Sequence, residues 1–189
     1  MTDARSEGKV VLEDEALSKR LAASIRDVPD FPKPGIVFKD ITPVLLDPPL
    51  FDDTIAELAR WTSAWEATKV IGVDARGFLF AAPVANRLGI GLVPVRKMGK
   101  LPHRTEREAY DLEYGSAELE IHVDAIEPGE RVAVIDDLLA TGGSSYAAAR
   151  LVERLRGVVA GLGFVIELSF LDGRARLAGY DCASLVRYE

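Results

Sequence analysis

The sequence predicts an α/β fold with a mostly parallel central sheet and helices on both faces. Three short apolar runs, at residues 70–73, 92–95 and 131–135, have the length and composition of buried strands. Stretches with helical spacing follow the first and the third of these runs. Buried strands that alternate with helices are typical of a parallel sheet that is covered on both faces.

Length and composition indicate one ordinary globular domain with at most a small attachment. The chain has 189 residues, of which 48% are apolar and 28% are charged. Its formal net charge of −7 argues against a nucleic-acid partner. The single cysteine, Cys182, excludes an intrachain disulfide and fits a reducing compartment. With no apolar core of a signal peptide and no run near the ~18 residues of a membrane helix, we expect a cytoplasmic protein without a membrane partner.

The N-terminal part is predicted to be a helix followed by an irregular segment. Leu17, Leu21 and Ile25 recur every four positions, which predicts an amphipathic helix over residues 12–25. The proline-rich residues 30–35 cannot be helical. We therefore divide the chain into an N-terminal segment, residues 1–35, and a main domain, residues 36–189.

The remaining elements follow from caps and apolar spacing. Asp47, which precedes two prolines, has the form of a helix start. The helix beyond it places four large side chains on one side: Phe51, Ile55, Leu58 and Trp65. We expect both tryptophans to be packing residues. Two more helices are predicted at residues 78–88, ending at Gly89, and at about 144–156, and two more strands at 164–171 and 183–186.

A long polar insertion, residues 96–130, separates two of the predicted strands. Its first part is crowded with basic side chains: Arg96, Lys97, Lys100, His103, Arg104 and Arg107. Its second part alternates apolar and polar residues on either side of Gly115, which predicts a two-stranded hairpin. An insertion of this size is either a lid over a binding site, at about residues 97–123, or a solvated surface hairpin.

The most informative stretch is residues 132–145. Four apolar residues form a buried strand, and Asp136 and Asp137 follow at its carboxyl end. Gly142 and Gly143 then form a turn that opens a helix, and hydroxyl residues flank that turn: Thr141, Ser144 and Ser145. In open parallel sheets, ligands bind at this edge.

Each part of this stretch has a chemical use. Unpaired backbone N–H groups at the helix start can hold a phosphate, and glycines let the backbone approach it closely. Asp136 and Asp137 would repel a phosphate, but they can accept hydrogen bonds from sugar hydroxyls or lie near a hard cation. The combination predicts a ligand that carries vicinal hydroxyls and a phosphate, such as ribose 5-phosphate.

Two other phosphate-binding motifs do not fit this stretch. A Walker loop requires a lysine after its second glycine, whereas Ser144 follows Gly143 here. The GxGxxG fingerprint of dinucleotide-binding folds is absent after any predicted strand.

The chain resembles the type I phosphoribosyltransferases in this stretch, and more closely the adenine phosphoribosyltransferases over about residues 28–189. The matching segments besides the signature loop are Asp30-Phe31-Pro32-x-Pro34-Gly35-Ile36-Val37-Phe38, Asp40-Ile41-Thr42-Pro43-Val44-Leu45, Gly72-x-Asp74-x-Arg76-Gly77-Phe78-Leu79-Phe80, Arg96-Lys97-x-Gly99-Lys100-Leu101-Pro102 and Leu112-Glu113-Tyr114-Gly115-x-Ala117-Glu118-Leu119-Glu120. The first and last of these segments are far more specific to the adenine enzymes than the shared loop.

The resemblance implies a reaction and its partners. The 5-phosphoribosyl group of 5-phosphoribosyl 1-pyrophosphate would pass to adenine, giving AMP and pyrophosphate in purine salvage. Mg²⁺ would be the cofactor, bound mainly through the substrate with help from Asp136 and Asp137. The resemblance also implies a homodimer, a hood formed by the N-terminal segment and a flexible hairpin lid.

The resemblance assigns the substrate contacts residue by residue. The 5-phosphate would bind the signature loop: Ala140, Thr141, Gly142, Gly143 and Ser144. The ribose hydroxyls would bind Asp136 and Asp137. The pyrophosphate would meet the backbone of the Asp74–Ala75 pair, for which the family predicts a non-proline cis peptide bond, and four cations: Arg76, Arg96, Lys97 and Lys100. Cations suit this subsite because the leaving group carries most of the charge.

The base and the proton transfer are assigned to two other segments. Adenine would stack near Phe38, and backbone groups of Ile36, Val37 and Phe38 would read its edge. Glu113 is the candidate proton acceptor, with Arg76 as the second catalytic residue, and Tyr114 would help to close the lid.

Two rival functions remain open from the sequence. The signature loop is equally compatible with transfer to another base, such as hypoxanthine or xanthine, although the 31–38 segment and Glu113 favour adenine. A non-catalytic regulator that senses the sugar pyrophosphate is the second alternative. The short N-terminal segment and the net acidity argue against the DNA-binding domain that such a regulator needs.

Overall fold

The computed structural model describes residues 14–111 and 116–189. The helices are α1 (Glu15–Ser24), α2 (Thr42–Leu45), α3 (Pro48–Ala64), α4 (Gly77–Leu88), α5 (Gly143–Arg154) and α6 (Gly173–Arg176). The strands are β1 (Arg26–Pro29), β2 (Val37–Asp40), β3 (Lys69–Val73), β4 (Gly91–Lys97), β5 (Thr105–Asp111), β6 (Ser116–His122), β7 (Arg131–Leu139), β8 (Val158–Leu168) and β9 (Cys182–Tyr188).

A seven-stranded sheet in the order β5-β6-β4-β3-β7-β8-β9 forms the centre of the molecule. Five neighbouring strands pair in parallel: β4, β3, β7, β8 and β9. The hairpin strands β5 and β6 extend the sheet beyond β4 in antiparallel orientation. This arrangement confirms the predicted α/β class and mostly parallel sheet. It also places the carboxyl ends of β3, β4 and β7 at one edge.

The sheet separates two apolar cores. Along β7, Val132 and Val134 belong to the core beneath α5, whereas Ala133 and Ile135 belong to the core that contains buried residues of α1, α3 and α4. This alternation follows from the two-residue period of a strand, which directs successive side chains to opposite faces. Helices on both faces are thereby confirmed.

Helix α3 begins and packs as its sequence predicts. The side chain of Asp47 accepts a hydrogen bond from the backbone N–H of Leu50, which caps the helix start. Trp61 and Trp65 are buried, with 0% and 3% of their surface exposed, so both are packing residues as expected. A Cβ atom added to Gly161 in β8 would lie 2.3 Å from the ring of Trp65, so the strand needs glycine at this point.

This packing explains one error in the predicted strands. Strand β8 begins at Val158, six residues before the predicted start at Phe164, and residues 169–171 form a 3₁₀ turn instead of its end. Glycines at 161 and 163 lower the local strand propensity, but here they make room for large side chains from the neighbouring layer. Tertiary packing therefore outweighs local propensity.

The hairpin predicted in the long insertion is present as β5 and β6. It does not stand apart from the sheet, because β6 pairs with β4 through Arg96–Glu120 and Lys97–Leu119. The tip of the predicted lid, residues 112–115, lies outside the described residues. The small β1–β2 sheet and the single turn α2 were not predicted, since both are too short to give a periodic signal.

Among residues 14–111 and 116–189, every helix is too short or too polar to span a lipid bilayer.

Candidate active site

The acid pair and the glycine turn lie together at the carboxyl edge of the sheet. Strand β7 continues to Leu139, so Asp136 and Asp137 lie within its C-terminal part. Both are buried, with 6% and 4% of their surface exposed. Residues 140–144, which we call the glycine loop, follow directly. Gly142 adopts a left-handed conformation with φ of 75°, and α5 begins at the next residue.

The glycine loop packs against a second turn of backbone. A Cβ atom on Gly142 would lie 2.7 Å from the carbonyl oxygen of Gly173, and one on Gly173 would lie 2.1 Å from the carbonyl oxygen of Ala140. Both distances are too short for any side chain, so the two backbones touch. The loop is thereby shaped by a neighbour that is distant in sequence.

Burial dominates the electrostatics of the acid pair. Desolvation, reinforced by the neighbouring charge of Asp137, raises the pKa of Asp136 well above its ordinary value. Burial also raises the pKa of Asp137, although the Arg76 guanidinium opposes this shift. The Nε atom of Arg76 lies 2.8 Å from Oδ2 of Asp137, and the backbone N–H of Asp137 donates to Oδ1 of Asp136 at 2.9 Å.

The turn between β3 and α4 forms the second part of the site. The Asp74–Ala75 peptide bond is cis, which confirms the prediction. The backbone N–H of Asp74 donates to the carbonyl of Val95 at 2.9 Å, so this turn is fixed to β4. A Cβ atom on Gly77 would lie 2.8 Å from Oδ1 of Asp136, which brings the start of α4 against the acid pair.

Residues 96–101, which we call the cationic segment, form the third part. Arg96 lies with its Nε atom 3.2 Å from Oδ2 of Asp74. Lys97 and Lys100 are exposed. The backbone N–H groups of Lys100 and Leu101 both donate to Oε1 of Glu120 at 2.9 Å, and Glu120 is only 1% exposed. Burial alone would raise the pKa of Glu120, but these backbone hydrogen bonds outweigh it and the pKa is lowered.

These parts enclose a cavity of about 390 Å³. The predicted residues on its surface are Asp74, Ala75, Arg76, Lys97, Asp136, Asp137, Ala140, Thr141, Gly142, Gly143 and Ser144. The structure therefore brings the signature loop, the acid pair and the β3–α4 turn into one site. Among the described residues, Arg96 and Lys100 lie beside this lining instead of in it.

Ser145, one of the hydroxyl residues noted beside the glycine turn, also lines the cavity, whereas four lining residues were missed from the sequence: Val73, Tyr110, Leu138 and Leu171. Tyr110 belongs to strand β5 of the hairpin. The alternating pattern of the hairpin predicts strands, but it does not predict which face of them meets the site. Burial, together with the charges of Asp136 and Asp74, raises the pKa of Tyr110. Leu171 was assigned to a strand, so its place beside the glycine loop could not be expected.

The predicted base-binding residues lie next to Arg76 but outside the lining of this cavity. The guanidinium of Arg76 lies 5.1 Å from the ring centroid of Phe38, and Phe31 packs edge-on against the same ring at 5.2 Å. Ile36 and Val37 are exposed, at 36% and 51%. The predicted residues Glu113 and Tyr114 lie outside the described residues.

Comparison with known proteins agrees with this geometry. The family model described as the phosphoribosyl transferase domain matches residues 44–174, which is more than half of the chain. An adenine phosphoribosyltransferase of Frankia casuarinae is 54% identical over 91% of this chain and 92% of its own length. One of Myxococcus xanthus is 54% identical over 94% of this chain and 96% of its own length.

Two solved structures extend the likeness to three dimensions. The adenine phosphoribosyltransferase of Thermoanaerobacter pseudethanolicus has a TM-score of 0.87 and 53% identity, covering 90% of this chain and 99% of its own. The Saccharomyces cerevisiae enzyme has a TM-score of 0.85 and 38% identity, covering 90% and 98%. On this evidence the chain belongs to the phosphoribosyltransferase family and, within it, to the adenine phosphoribosyltransferases.

Proposed function

We propose that the chain transfers the 5-phosphoribosyl group of 5-phosphoribosyl 1-pyrophosphate to adenine, giving AMP and pyrophosphate in purine salvage. The observation that carries this proposal is one cavity in which a glycine-opened helix start, a buried acid pair and two cations, Arg76 and Lys97, meet. Relatives more than 50% identical bear the name of this activity. The yeast relative was crystallised with adenine and an imino-altritol bisphosphate.

The 5-phosphate binds at the glycine loop and the start of α5. The first N–H groups of a helix have no partner within the helix and carry partial positive charge. Gly142 and Gly143 are buried backbone without side chains, so an anion can approach these groups closely. The hydroxyls of Thr141 and Ser144 add further donors at the same place.

Asp136 and Asp137 hold the ribose hydroxyls. Their oxygens accept hydrogen bonds, and burial makes each bond stronger than it would be in water. The Arg76 guanidinium, 2.8 Å from Asp137, offsets part of the cost of burying negative charge on that carboxylate. A sugar placed here directs its anomeric carbon towards the β3–α4 turn, between the phosphate site and the cations.

The pyrophosphate binds the Asp74–Ala75 backbone and the cations around it. Arg76 and Lys97 line the cavity directly, and Arg96 and Lys100 stand beside it. As pyrophosphate departs, negative charge grows on its oxygens, and these cations stabilise it more strongly than they stabilise the bound substrate. Arg76 therefore serves both the pyrophosphate site and the ribose site, since it also pairs with Asp137.

Adenine stacks near Phe38 and is read by backbone groups of residues 36–38. A purine nitrogen attacks the anomeric carbon as the bond to pyrophosphate breaks, and the proton of that nitrogen passes to Glu113. Tyr114 helps to close the lid over the reacting groups, which excludes water. Glu113 and Tyr114 are assigned here on the family motif alone.

The donor chemistry of the site fits Mg²⁺ brought by the substrate. Mg²⁺ prefers oxygen ligands and usually binds through one or two carboxylates together with substrate phosphates. Asp136 and Asp137 offer such carboxylates, and the described residues contain no group of three or more potential ligands that would form a site by themselves. When bound, Mg²⁺ would neutralise charge on the pyrophosphate. The homodimer and the cytoplasmic location implied by the family stay predictions.

A product assay with four bases tests the proposal. Purified protein is incubated with Mg²⁺, the activated sugar and adenine, hypoxanthine, guanine or xanthine, and nucleotides are separated by chromatography. We expect AMP from adenine and at least about 100-fold slower turnover with the others, because a site that hydrogen-bonds one edge rejects bases that leave its groups unpaired. Preferential turnover of another base would contradict the assignment, and tight sugar-pyrophosphate binding without turnover would favour the regulator.

A further inference from the structure

A buried ion-pair network joins the ends of β8 and β9 to the turn that follows β8. Glu167 is only 4% exposed, and both its oxygens accept hydrogen bonds from Arg174: Nε donates to Oε1 at 2.9 Å and Nη2 to Oε2 at 2.5 Å. The hydroxyl of Ser184 donates to Oε2 at 2.6 Å. Arg174 also donates to the carbonyl of Cys182 at 2.9 Å, and Nε of Arg187 lies 3.4 Å from Oε2.

This network fixes the position of the residue directly before Arg174. Glu167 lies on β8 and Ser184 on β9, two strands that pair in parallel within the rigid sheet. Arg174 lies in the first turn of α6, so its guanidinium ties that turn to both strands. Gly173 is the neighbouring residue, and its backbone touches Ala140 and Gly142 in the glycine loop.

We propose that the Glu167–Arg174–Ser184 network is a positioning device for the glycine loop. By holding the Gly173 backbone against Ala140 and Gly142, it keeps the first N–H groups of α5 aligned for the 5-phosphate. Leu171, at the other end of the same turn, lines the cavity, so displacement of the turn also changes the site surface. The inference rests on the proposed function, because it names the substrate group whose binding the network controls.

The chemistry of the network fits a positioning role better than a purely stabilising one. A buried carboxylate loses hydration, so a pair of this kind contributes little net stability relative to apolar residues of similar volume. It does fix geometry, since a bidentate guanidinium accepts only a narrow range of orientations. Although burial would raise the pKa of Glu167, the hydrogen bonds from Arg174 and Ser184 lower it, so the carboxylate stays charged at neutral pH.

Replacement of Arg174 by methionine tests the inference. We expect KM for the activated sugar to rise about tenfold, because a small displacement of a binding group is costly. KM for adenine should stay within about twofold, since the predicted base-binding residues 36–38 lie outside the lining of this cavity. Arg174→Lys should give an intermediate value, because lysine supplies charge but no bidentate fork. In calorimetry with ribose 5-phosphate, Arg174→Met should lose more affinity than Arg174→Lys.

The matched control lies on α3. Arg60 makes a two-point contact with Glu57, which is 9% exposed, and Trp61 donates to the same carboxylate at 2.8 Å. This trio reproduces the bonding of the network far from the cavity. Arg60→Met should lower Tm without changing KM for either substrate. If Arg174→Met lowers Tm to a similar extent and leaves the sugar-phosphate affinity unchanged, the network is merely structural and the inference is wrong.

Two further variants keep the test decisive. If Arg174→Met does not fold, Ser184→Ala removes one hydroxyl of the network, and we expect a twofold to fourfold rise in KM for the activated sugar alone; an unchanged value would overturn the inference. Failure of the wild-type protein to form AMP would contradict the proposed function instead. In that case, calorimetry with ribose 5-phosphate on the wild type and on Arg174→Met still measures whether the substitution weakens sugar-phosphate binding at the glycine loop.

Discussion

The glycine loop and the cationic segment, which contributes Lys97, meet at the same cavity but are built in different ways. The glycine loop presents backbone groups, its two glycines are buried, and its shape is set by direct contact with the Gly173 backbone. The cationic segment presents long side chains, and Lys97 and Lys100 are exposed. If both regions bind phosphate groups as proposed, the glycine loop offers a preformed subsite, whereas the cationic segment depends on side chains that lose conformational freedom on binding.

The difference extends to how each region is held. Close contact with the Gly173 backbone restricts the glycine loop, so few conformations are open to it. In the cationic segment, residues 96–98 are held by backbone pairing with β6, but residues 100 and 101 are held by a side chain, because their N–H groups donate to Glu120. In the proposed reaction, the departing pyrophosphate would therefore meet the more adaptable region, and the sugar phosphate that stays bound would meet the rigid one.

Gly142→Ala should have the largest effect, since it disrupts the contact that shapes the glycine loop. Its Cβ atom would lie 2.7 Å from the carbonyl oxygen of Gly173, so the loop or the turn must move. Because misplaced binding groups can cost about 100-fold in rate, we expect kcat/KM for the activated sugar to fall by at least about that factor. Steady-state kinetics on protein with a normal circular dichroism spectrum measures it.

Gly99→Ala is the matched control for this change. Gly99 lies in the cationic segment with φ of 80°, close to the 75° of Gly142, but a Cβ atom there has no neighbour within 4 Å. Both alanines pay a similar conformational penalty of about 1 kcal/mol in a left-handed conformation. We expect less than about a threefold kinetic change for Gly99→Ala. Equal losses in both variants would mean that backbone strain, and not contact with Gly173, is what matters.

Asp136→Asn should have the next largest effect, with opposite signs for activity and stability. Hydrogen bonds to charged groups contribute about 1.5–3 kcal/mol, so loss of the carboxylate should lower kcat/KM by about 10- to 100-fold. Free protein should become more stable at neutral pH, because the variant no longer buries this charge. Chemical denaturation followed by tryptophan fluorescence measures the free energy of unfolding.

The pH dependence of this stability gain follows from the direction of the pKa shift. Because burial raises the folded-state pKa of Asp136, the folded protein binds its proton more tightly than the unfolded chain does. The wild-type contribution is therefore most favourable at low pH and declines as pH rises from the ordinary value of 3.8 through the raised pKa. The gain from Asp136→Asn should shrink on acidification; a gain that grows at low pH would show that Asp136 is not the cause.

Glu120→Leu should have a moderate effect, because it releases the cationic segment without removing a cation. The N–H groups of Lys100 and Leu101 would lose their shared acceptor. We expect KM for the activated sugar to rise about tenfold, while Glu120→Gln, whose amide oxygen can accept both bonds, should recover most of this loss. Equal kinetics for the leucine and glutamine variants would contradict a role through these backbone bonds.

The sequence predicts the glycine loop and the acid pair better than the cationic segment, because the residues of the first group are neighbours in the chain. The acid pair, the glycine turn and the helix start are contiguous between residues 132 and 145, so their pattern can be recognised without knowledge of the fold. The cis bond at Asp74–Ala75 and the family itself were also predicted, from short motifs.

Contacts between distant segments could not be predicted in this way. Gly173 and Leu171 reach the glycine loop only because β8 ends where it does, and that strand was misplaced at both ends. The role of Glu120 could not be predicted either, because its partners, Lys100 and Leu101, belong to another part of the insertion. The orientation of Tyr110 likewise depends on how the hairpin joins β4.

Arg107→Met should have the smallest effect, and it separates the two kinds of contact that Glu120 makes. The Nε atom of Arg107 lies 3.6 Å from Oε2 of Glu120, and the arginine side chain is 53% exposed. Because solvent reaches the half-exposed guanidinium and screens this long contact, KM for the activated sugar should change by less than about twofold, and salt should reduce even that difference. Steady-state kinetics at low and high ionic strength checks it. A loss as large as that of Glu120→Leu would mean that Arg107, and not the backbone of residues 100 and 101, transmits the influence of Glu120 to the site.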